Sequence, residues 1–296
     1  MKKTSSTPRT HNARIIKPKH GLVGVNIEEL WRFRELFFFL SWRDILIRYK
    51  QTALGVLWVV IQPLVNVAVF TIIFGYLANL DSQGAPYPLI TLAAVIPWQM
   101  FSVAVGASSL SLVASTNLVT KTYFPRLIIP LSSTFGTVVD SLIGLVLLLV
   151  AVVAYSIAGQ VGLVSIPDMI GFHWQVLLLP VFFLIGLSAA IAIGLWLSAL
   201  NVKYRDIKYV VPFILRIMML LSPVGYLSSV VPDRFRLLYS LNPLVGVIDG
   251  FRWCILGSPF EPHWPGFFIS LGMLILLLIS GAIYFRSTER RFADII

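Results

Sequence analysis

The pattern of hydrophobic and polar positions changes near residue 53. Before it, hydrophobic side chains recur at the spacing of a helix with about 3.6 residues per turn, and basic side chains fill positions between them. One face would carry Phe38, Trp42, Ile45, Leu46 and Tyr49, while Arg43, Arg48, Lys50 and Gln51 fall on the rest. A basic amphipathic helix of this kind lies in a membrane surface. We therefore predict an amphipathic interface helix over residues 31–52.

Six long apolar runs follow this helix. The hydrocarbon core of a bilayer is about 30 Å thick, and a helix needs about 20 residues to cross it. Runs near or above that length cover residues 53–80, 89–114, 127–157, 174–200, 210–227 and 267–285. The predicted fold is an all-α membrane protein with six transmembrane helices, and residues 53–290 form its membrane domain.

Composition supports a membrane protein. The 296 residues are 57% hydrophobic and 12% charged, and the mean hydropathy is +0.86, whereas soluble domains average roughly 45–50% apolar and about 25% charged residues. Residues 1–30 are predicted to form a disordered basic tail in the cytosol. Because no apolar h-region follows its basic residues, we do not expect a cleavable signal peptide. No segment remains for a soluble catalytic domain.

The distribution of Lys and Arg predicts that both termini are cytosolic, because cytoplasmic segments carry an excess of these residues. Of the 23 basic residues, eleven lie in residues 1–50, two follow the second run, three follow the fourth and three follow the sixth. The opposite loops hold only Arg234, Arg236 and Arg252. We expect a multi-pass protein of the cytoplasmic (inner) membrane. We attribute its basic balance to this face and expect no nucleic-acid partner.

The remaining apolar stretch, residues 237–256, is predicted to enter the outer leaflet and return. A seventh crossing would move the basic C-terminal residues to the outer side, against the rule that fits every other loop. The Asn242–Pro243 step also disfavours continuous helix, and the stretch carries Asp249 and Arg252. We therefore expect two short re-entrant helices between the fifth and sixth runs, broken at Asn242 and Pro243.

Motifs for chemistry are scarce. None of the four histidines lies in an apolar run, no HExxH motif occurs, and the absence of any Gly-Lys dipeptide excludes a phosphate loop. We expect no catalytic, cofactor-binding or metal-binding residue in this chain, which is therefore predicted not to be an enzyme. One alternative stays open, an intramembrane transferase that uses Asp140 or an acid in an outer loop. Cys254, the single cysteine, is interpreted as a packing residue.

Two charged residues, Asp140 and Arg216, lie inside the apolar runs. Such groups are costly in hydrocarbon and face the interior of the bundle or water. They either line a polar pathway, or form a structural pair, or Arg216 extends its side chain to the surface. Other polar or aromatic candidates for a channel lining are Gln62, Asn66, Phe70, Phe74, Trp98 and Tyr226. Simple packing is the alternative for each of them.

The two predicted cytosolic loops combine basic and aromatic side chains. The loop after the second run contains Lys121, Tyr123 and Arg126, and the loop after the fourth contains Lys203, Tyr204, Arg205 and Asp206. This composition favours docking on another protein. An ordinary basic loop on the cytosolic side is the alternative.

Four separated motifs resemble the membrane subunit of type-2 ABC exporters, in the branch that exports O-antigen, capsule or teichoic acid. They are WRDILIRYKQTALGVLWVVIQPL from Trp42, LVTKTYFPRLIIPLS from Leu118, NVKYRDI from Asn201, and the segment from Ser222 to Gly257 that contains SPVGY and YSLNPLVGVIDGFRWCILG. The resemblance covers about residues 30–290 and keeps the order of the motifs.

The resemblance implies a permease that acts as a homodimer with two copies of a separate ABC ATPase, which would bind ATP and Mg²⁺. The loop residues would couple to that ATPase, and a channel between the two copies would be lined by the first and fifth spans. The substrate would be a polysaccharide on undecaprenyl diphosphate, most simply O-antigen, with Arg43, Arg48 and Lys50 attracting the diphosphate. Exporters of small molecules or lipids share this topology and remain the alternative, as does a non-transporting scaffold for glycan synthesis.

Overall fold

The computed structural model describes residues 27–50, 55–160, 173–289 and 292, and its regular elements are helices. The predicted basic tail lies outside the described residues up to position 26, and its last four positions begin the first helix. Gln51, Arg290 and Arg291 also lie outside the described part of the chain.

Twelve α-helices follow one another in the described ranges. They are α1 (Ile27–Arg32), α2 (Arg34–Lys50), α3 (Gly55–Phe70), α4 (Tyr87–Ala114), α5 (Thr116–Lys121), α6 (Ile128–Phe135), α7 (Val138–Gln160), α8 (Leu179–Lys203), α9 (Ile207–Leu221), α10 (Asp233–Tyr239), α11 (Pro243–Leu256) and α12 (Trp264–Glu289). A π-helical segment, Thr71–Leu77, extends α3, and short 3₁₀ turns cover Trp174–Leu178, Ser228–Val230 and Ser258–Phe260. The prediction of an all-helical protein is confirmed for these residues.

Five helical segments are long and apolar enough to cross a membrane, and one of them contains a short turn at Gly136 and Thr137. They are Gly55–Leu77, Tyr87–Ala114, Ile128–Gln160, Trp174–Lys203 and Trp264–Glu289. The run predicted over 210–227 instead gives α9, which has 15 residues and is about 22 Å long at 1.5 Å per residue. It ends because Ser222 is extended (ψ 154°) and precedes Pro223, a step that disfavours helix. By length alone, α9 does not count as a span.

The third predicted run is divided by a helix break. Helix α6 ends at Phe135, α7 begins at Val138, and Gly136 and Thr137 form the turn between them. Asp140 therefore lies in the first turn of the 23-residue helix α7 instead of in the middle of one long span. A carboxylate is favoured there by the unpaired N–H groups at the start of a helix.

Helix α4 is the centre of the bundle, and most of its 28 residues are buried. It packs most extensively against α8. Gly194 leaves room for Ser108, and the side-chain amide of Asn201 donates to the Ser109 carbonyl at 2.9 Å. Nearer the start of both helices, Gly186 faces Met100. Later residues of α4 contact later residues of α8, so the two helices run parallel. Small residues allow their close approach.

Helix α12 runs parallel to α8 as well. Phe182 packs on Phe267 near the start of both helices, and Trp196 stacks on Tyr284 near their ends, with ring centroids 4.3 Å apart. The C-terminal ends of α4, α8 and α12 consequently lie at the same end of the bundle. We call this the basic end, because Lys121, in the segment after α4, and Lys203, the last residue of α8, lie there.

Helices α10 and α11 form a hairpin at the opposite end, which we call the hairpin end. Its apex, around Ser240 and Asn242, packs against α12, where the Ser270 hydroxyl donates to the Ser240 carbonyl at 2.7 Å. Ser270 lies six residues after the start of α12 at Trp264, a distance of about 9 Å along the helix. All 14 residues of α11 are buried. The apex thus reaches inward from the start of α12.

Arg252 connects α11 to two other elements. It is 1% exposed, and its guanidinium donates to the carbonyls of Ile90 in α4 at 3.3 Å and of Val224 after α9 at 3.2 Å. Its remaining nitrogen, Nη1, lies 3.8 Å from Asp249, which accepts a 2.6 Å hydrogen bond from Ser228. This buried pair holds the hairpin against the core.

Replacing Arg252 should destabilise the protein more than replacing both members of the pair. In Arg252→Met, Asp249 is left buried without its partner, and breaking such a pair costs about 3–5 kcal/mol. Thermal unfolding in detergent, followed by tryptophan fluorescence, should give a lower midpoint for Arg252→Met than for Arg252→Met with Asp249→Asn. Arg234→Met, at an exposed position of α10, is the matched control. Equal midpoints for Arg252→Met and the wild type would contradict the role of the pair.

Candidate functional site

Helix α2 turns several aromatic side chains outward and packs Phe37, Leu40 and polar side chains against the bundle. Phe38, Phe39 and Trp42 are 66%, 65% and 60% exposed, whereas Leu40 and Ser41 are buried. The predicted grouping of Phe38, Trp42 and Leu46 on an exposed apolar face is therefore observed, but Tyr49 faces inward. A soluble helix would bury its apolar face. Outward aromatic residues and inward polar ones suit a helix that contacts lipid.

A row of polar contacts joins α2 to the break between α6 and α7. We define the polar seam by these residues: Ser41, Asp44, Arg48 and Tyr49 of α2, and Ser132, Ser133 and Asp140 opposite them. Positions 41, 44 and 48 share one helical face, because they are three and four residues apart. Gly136 allows a close approach in the seam, since a Cβ atom built there would lie 3.2 Å from the Asp44 side chain.

Asp140 is the main acceptor of the seam. Its two carboxylate oxygens accept hydrogen bonds from the Arg48 guanidinium and the Tyr49 hydroxyl. Burial, followed by the hydrogen bond to Asp140, raises the pKa of Tyr49 above its ordinary value, so this hydroxyl stays protonated and donates. The charged partner of Asp140 is Arg48, not Arg216.

The three basic residues predicted to attract a diphosphate have different surroundings. Arg43 forms an ion pair with Asp44 at 2.8 Å, and Arg48 forms one with Asp140. Lys50 is exposed at the end of α2. Two of the three positive charges are thus balanced by carboxylates of the seam.

A cavity of about 500 Å³ lies beside the polar seam, between α3, α4 and α7. Arg48 and Asp140 lie at its border, and its hydrocarbon walls include Trp58, Val59 and Met100. Gly144 keeps the cavity open on α7, where a Cβ atom would come within 3.1 Å of Ile96. The cavity combines an apolar interior with a charged border.

The residues proposed for a channel lining do not form one group. Gln62 borders the cavity, Asn66 is half-buried on α3, and Arg216 is exposed on α9. Within the described ranges, Arg216 has no ion-pair partner. Trp98 lies in the core, where it is 4% exposed and packs against Phe101.

The other three lining candidates meet at the hairpin end. Phe70 packs on Phe74, and Phe74 contacts Tyr226 with ring centroids 6.3 Å apart. The Tyr226 hydroxyl lies 3.0 Å from that of Tyr239 in α10. Gly225 allows this packing, because a Cβ atom there would lie 2.6 Å from the Phe74 ring. Here the π-helical extension of α3 contacts the segment after α9.

Asn242 and Pro243 lie at the turn between α10 and α11. Pro243 is the first residue of α11, and the Asn242 side chain accepts from the Leu244 amide at 3.0 Å as a helix cap. The same side chain donates to the Ser222 hydroxyl at 2.9 Å. The step predicted to break a helix thus starts one, since proline is well suited to the first helical turn.

The predicted docking residues share the basic end. Tyr123 and Tyr204 are 76% and 51% exposed, and the side chains of Lys121, Lys203, Arg205 and Asp206 are also exposed. Arg126 differs, because it is half-buried and bonds to Glu289: its backbone amide donates to the Glu289 carboxylate at 3.0 Å and its guanidinium donates to the Glu289 carbonyl. This contact fixes the first loop to the end of α12.

Sequence reasoning missed the partners that complete these sites. Asp44 and Tyr49 were not recognised as inward-facing, although the spacing of Ser41, Asp44 and Arg48 contained that signal. Glu289 was not connected to Arg126, which lies 163 positions away. In the described part of the chain, no group of three or more His, Cys, Asp or Glu side chains is placed to hold a metal ion.

Similar proteins agree on the class of molecule. The family described as ABC-2 type transporter matches residues 35–256. The chain is 28% identical over 271 residues to the O-antigen export system permease protein RfbA of Myxococcus xanthus, covering 90% of this chain and 98% of that protein. A protein of the same description from Klebsiella pneumoniae is 26% identical over 265 residues, covering 88% and 95% of the two chains.

A more distant relative is named for the transport of another polymer. The polysialic acid transport protein KpsM of Escherichia coli is 20% identical over 243 residues, covering 82% of this chain and 89% of that protein. The long apolar helices of the present chain, together with these relatives, identify it as a multi-pass protein of the inner membrane. Because the family match spans well over half of the sequence, the resemblance is confirmed, and the chain belongs to the ABC-2 type transporter family of membrane proteins.

Proposed function

We propose that this chain is the permease subunit of an ATP-driven exporter that moves lipid-linked polysaccharide across the cytoplasmic membrane. The substrate we infer is O-antigen on undecaprenyl diphosphate. The observation that carries this proposal is the match along 98% of a permease named for O-antigen export. The exposed basic and aromatic loops at one end of the bundle support it, because they offer a surface for a separate motor.

The proposed assembly is a homodimer with two ABC ATPase subunits that bind ATP and Mg²⁺. Both cytosolic loops lie at the basic end because α4 and α8 are parallel, so a single ATPase surface can reach Tyr123 and Arg205 together. In this assembly the basic end and both termini face the cytosol. Helix α9 then serves as a sixth, shortened span, and the α10–α11 hairpin occupies the outer leaflet.

A channel between two copies accounts for the exposed faces of α3 and α9. Arg216 is the strongest argument, since an exposed guanidinium on an apolar helix is costly in lipid and is stabilised by water or a partner subunit. Exposed apolar residues of the same helix, such as Phe213 and Leu220, suit contact with lipid or a second copy. Among the lining candidates, Asn66 and Arg216 are the two that we place in contact with the pathway.

ATP-driven movement at the basic end would reach the hairpin end through rigid helices. Movement of the first loop would act on α12 through the contact between Arg126 and Glu289, and movement of the second would act on α8. Helix α4 carries such movement to Arg252, which binds the segment after α9. The aromatic cluster of Phe74 and Tyr226 would then open or close the outer exit.

Deleting the gene should trap lipid-linked glycan on the cytosolic side of the membrane. The expected result is an accumulation of glycan that can be extracted with lipid but is not labelled at the cell surface, and restoration of surface labelling by the wild-type gene. Unchanged surface labelling in the deletion strain would exclude the exporter and favour another transported molecule, whereas loss of surface glycan without trapped glycan would favour a scaffold for glycan synthesis.

Charge reversal at the basic end should weaken binding of the ATPase. Arg205→Glu is expected to reduce the ATPase recovered with the purified permease about tenfold, since hydrogen bonds to charged groups contribute about 1.5–3 kcal/mol. The control is Arg234→Glu, an exposed arginine at the hairpin end. Recovery that falls equally in both variants, or in neither, would argue against docking at this loop.

Cysteine labelling tests the proposed lining, because the native Cys254 is buried and provides a low background. Asn66→Cys and Arg216→Cys should react with a membrane-impermeant, water-soluble thiol reagent. Leu276→Cys, on a 59% exposed position of α12, is expected to face lipid and to react slowly. Equal rates at all three positions would remove the assignment of a water-filled pathway.

Export of a lipid or another small apolar molecule is the second candidate function. The observation that favours it is the apolar cavity beside the polar seam, which a glycan would not fill. Under this function the deletion strain would leave surface glycan unchanged and alter the distribution of the lipid.

A further inference from the structure

We propose that the cavity beside the polar seam binds the polyprenyl chain of the lipid carrier next to its phosphate, and that Arg48 binds that phosphate. The inference rests on the proposed function and adds the carrier's binding site to it. The site lies within one copy of the chain, between α3, α4 and α7, away from the pathway proposed between two copies.

The chemistry of the cavity matches a phosphate-headed lipid with one chain. Its volume of about 500 Å³ falls in the range of about 300–1,000 Å³ that is usual for ligand sites. Hydrocarbon groups of Trp58, Val59 and Met100 form much of the wall, and the charged groups at its border are Arg48 and Asp140. A polyprenyl phosphate has the same division between an apolar chain and a charged head. A volume of about 500 Å³ holds only the isoprene units next to the phosphate, and the rest of the polyprenyl chain would extend into the bilayer.

The cavity can be reached from the side of the helical bundle that carries α3. Trp58, in the first turn of α3, is 60% exposed, and Gln62, one turn further along, is exposed as well. The aromatic face of α2, with Phe38 and Trp42, lies outward. With α2 in the membrane surface, Arg48 stands at the depth of lipid head groups, so a carrier in the inner leaflet can approach without leaving the membrane.

Arg48 is suited to bridging a carboxylate and a phosphate. A guanidinium has five N–H donors in a fixed planar arrangement, and Asp140 fixes its position by accepting from Nη1. Charge-assisted contacts between Arg and phosphate are among the stronger hydrogen bonds in proteins. Lys50 is exposed two residues further along α2, and its charge adds to the positive potential at this membrane surface. Asp140 is therefore the positioning residue, and it also lowers the attraction of Arg48 for anions.

Native mass spectrometry of the full-length protein in detergent tests this site with three probes. Undecaprenyl phosphate has the chain and the phosphate, undecaprenol has the chain alone, and phosphatidylglycerol has an anionic head with two acyl chains. We expect undecaprenyl phosphate to bind most tightly, undecaprenol less tightly and phosphatidylglycerol least. Equal competition by phosphatidylglycerol would overturn the assignment to the carrier and indicate a general lipid groove.

Two sets of variants test binding of the polyprenyl chain and binding of the phosphate separately. Val59→Trp fills the cavity and should lower the binding affinity for undecaprenyl phosphate and for undecaprenol by about tenfold, equivalent to about 1.4 kcal/mol. The matched control Val146→Trp lies on α7 at a 60% exposed position outside the cavity and should change neither affinity. Wild-type affinity in Val59→Trp would overturn the inference.

Variants of the ion pair test the head group. Arg48→Gln with Asp140→Asn removes both charges together, which avoids leaving Asp140 unpaired, and should abolish the preference for undecaprenyl phosphate over undecaprenol. Asp140→Asn alone keeps the guanidinium and an amide oxygen that can still accept its hydrogen bond. Because it removes the competing negative charge, it should preserve or increase that preference. A preference that survives in the double variant would exclude Arg48 as the phosphate ligand.

Export measurements distinguish failure of this inference from failure of the proposed function. If Val59→Trp binds the carrier normally while deletion of the gene still traps glycan, the cavity assignment is wrong and the exporter stands. If deletion traps no glycan, the proposed function is wrong whatever the affinity for the carrier.

Discussion

The arrangement at the start of the membrane domain depends on the carboxylate of Asp140. A charged carboxylate near hydrocarbon is stable only if its hydrogen bonds are satisfied and its charge is balanced. Arg48 and Tyr49 do both, and they come from a helix separated from Asp140 by about ninety residues. To deliver them, α2 must lie along α6 with its polar face inward. Phe38, Phe39 and Trp42 are then left on the outer face, where lipid accepts them.

Polar contacts set the positions of helices that hydrophobicity alone would leave free. Lipid chains are as apolar as leucine, so apolar burial gives little preference for one packing of membrane helices over another. In this bundle a charged side chain joins separate elements at each end: Arg48 of α2 pairs with Asp140 near the start of α7, and Arg252 of α11 donates to the carbonyls of Ile90 and Val224. Close packing at Gly186 and Gly194 joins α4 and α8 between them. Together these contacts make the bundle specific as well as apolar.

The sequence predicted the helical class, most of the long helices and the hairpin at Asn242, because each depends on local hydrophobicity or on a proline. It did not predict where helices break. One proline after Ser222 shortens α9, and one glycine, Gly136, divides the third run, whereas Pro63 and Pro97 lie inside continuous helices. Hydropathy does not distinguish the residues that end a helix from those that lie within one. The close approach of Asp44 to Gly136 is likewise a tertiary contact that hydropathy does not show.

The sequence also did not show which charged side chains form ion pairs. The formal net charge of +10 suggested a basic surface on α2, yet Arg43 and Arg48 are both paired with carboxylates. An anion that binds Arg48 must therefore compete with Asp140 or share its guanidinium. A phosphate or diphosphate with more than one negative charge competes better than a singly charged phospholipid head group, because attraction increases with charge. A guanidinium paired with a carboxylate is thus more selective among anions than an unpaired basic surface. Asp140 lowers the affinity of Arg48 for every anion, and the most highly charged head group keeps the highest affinity.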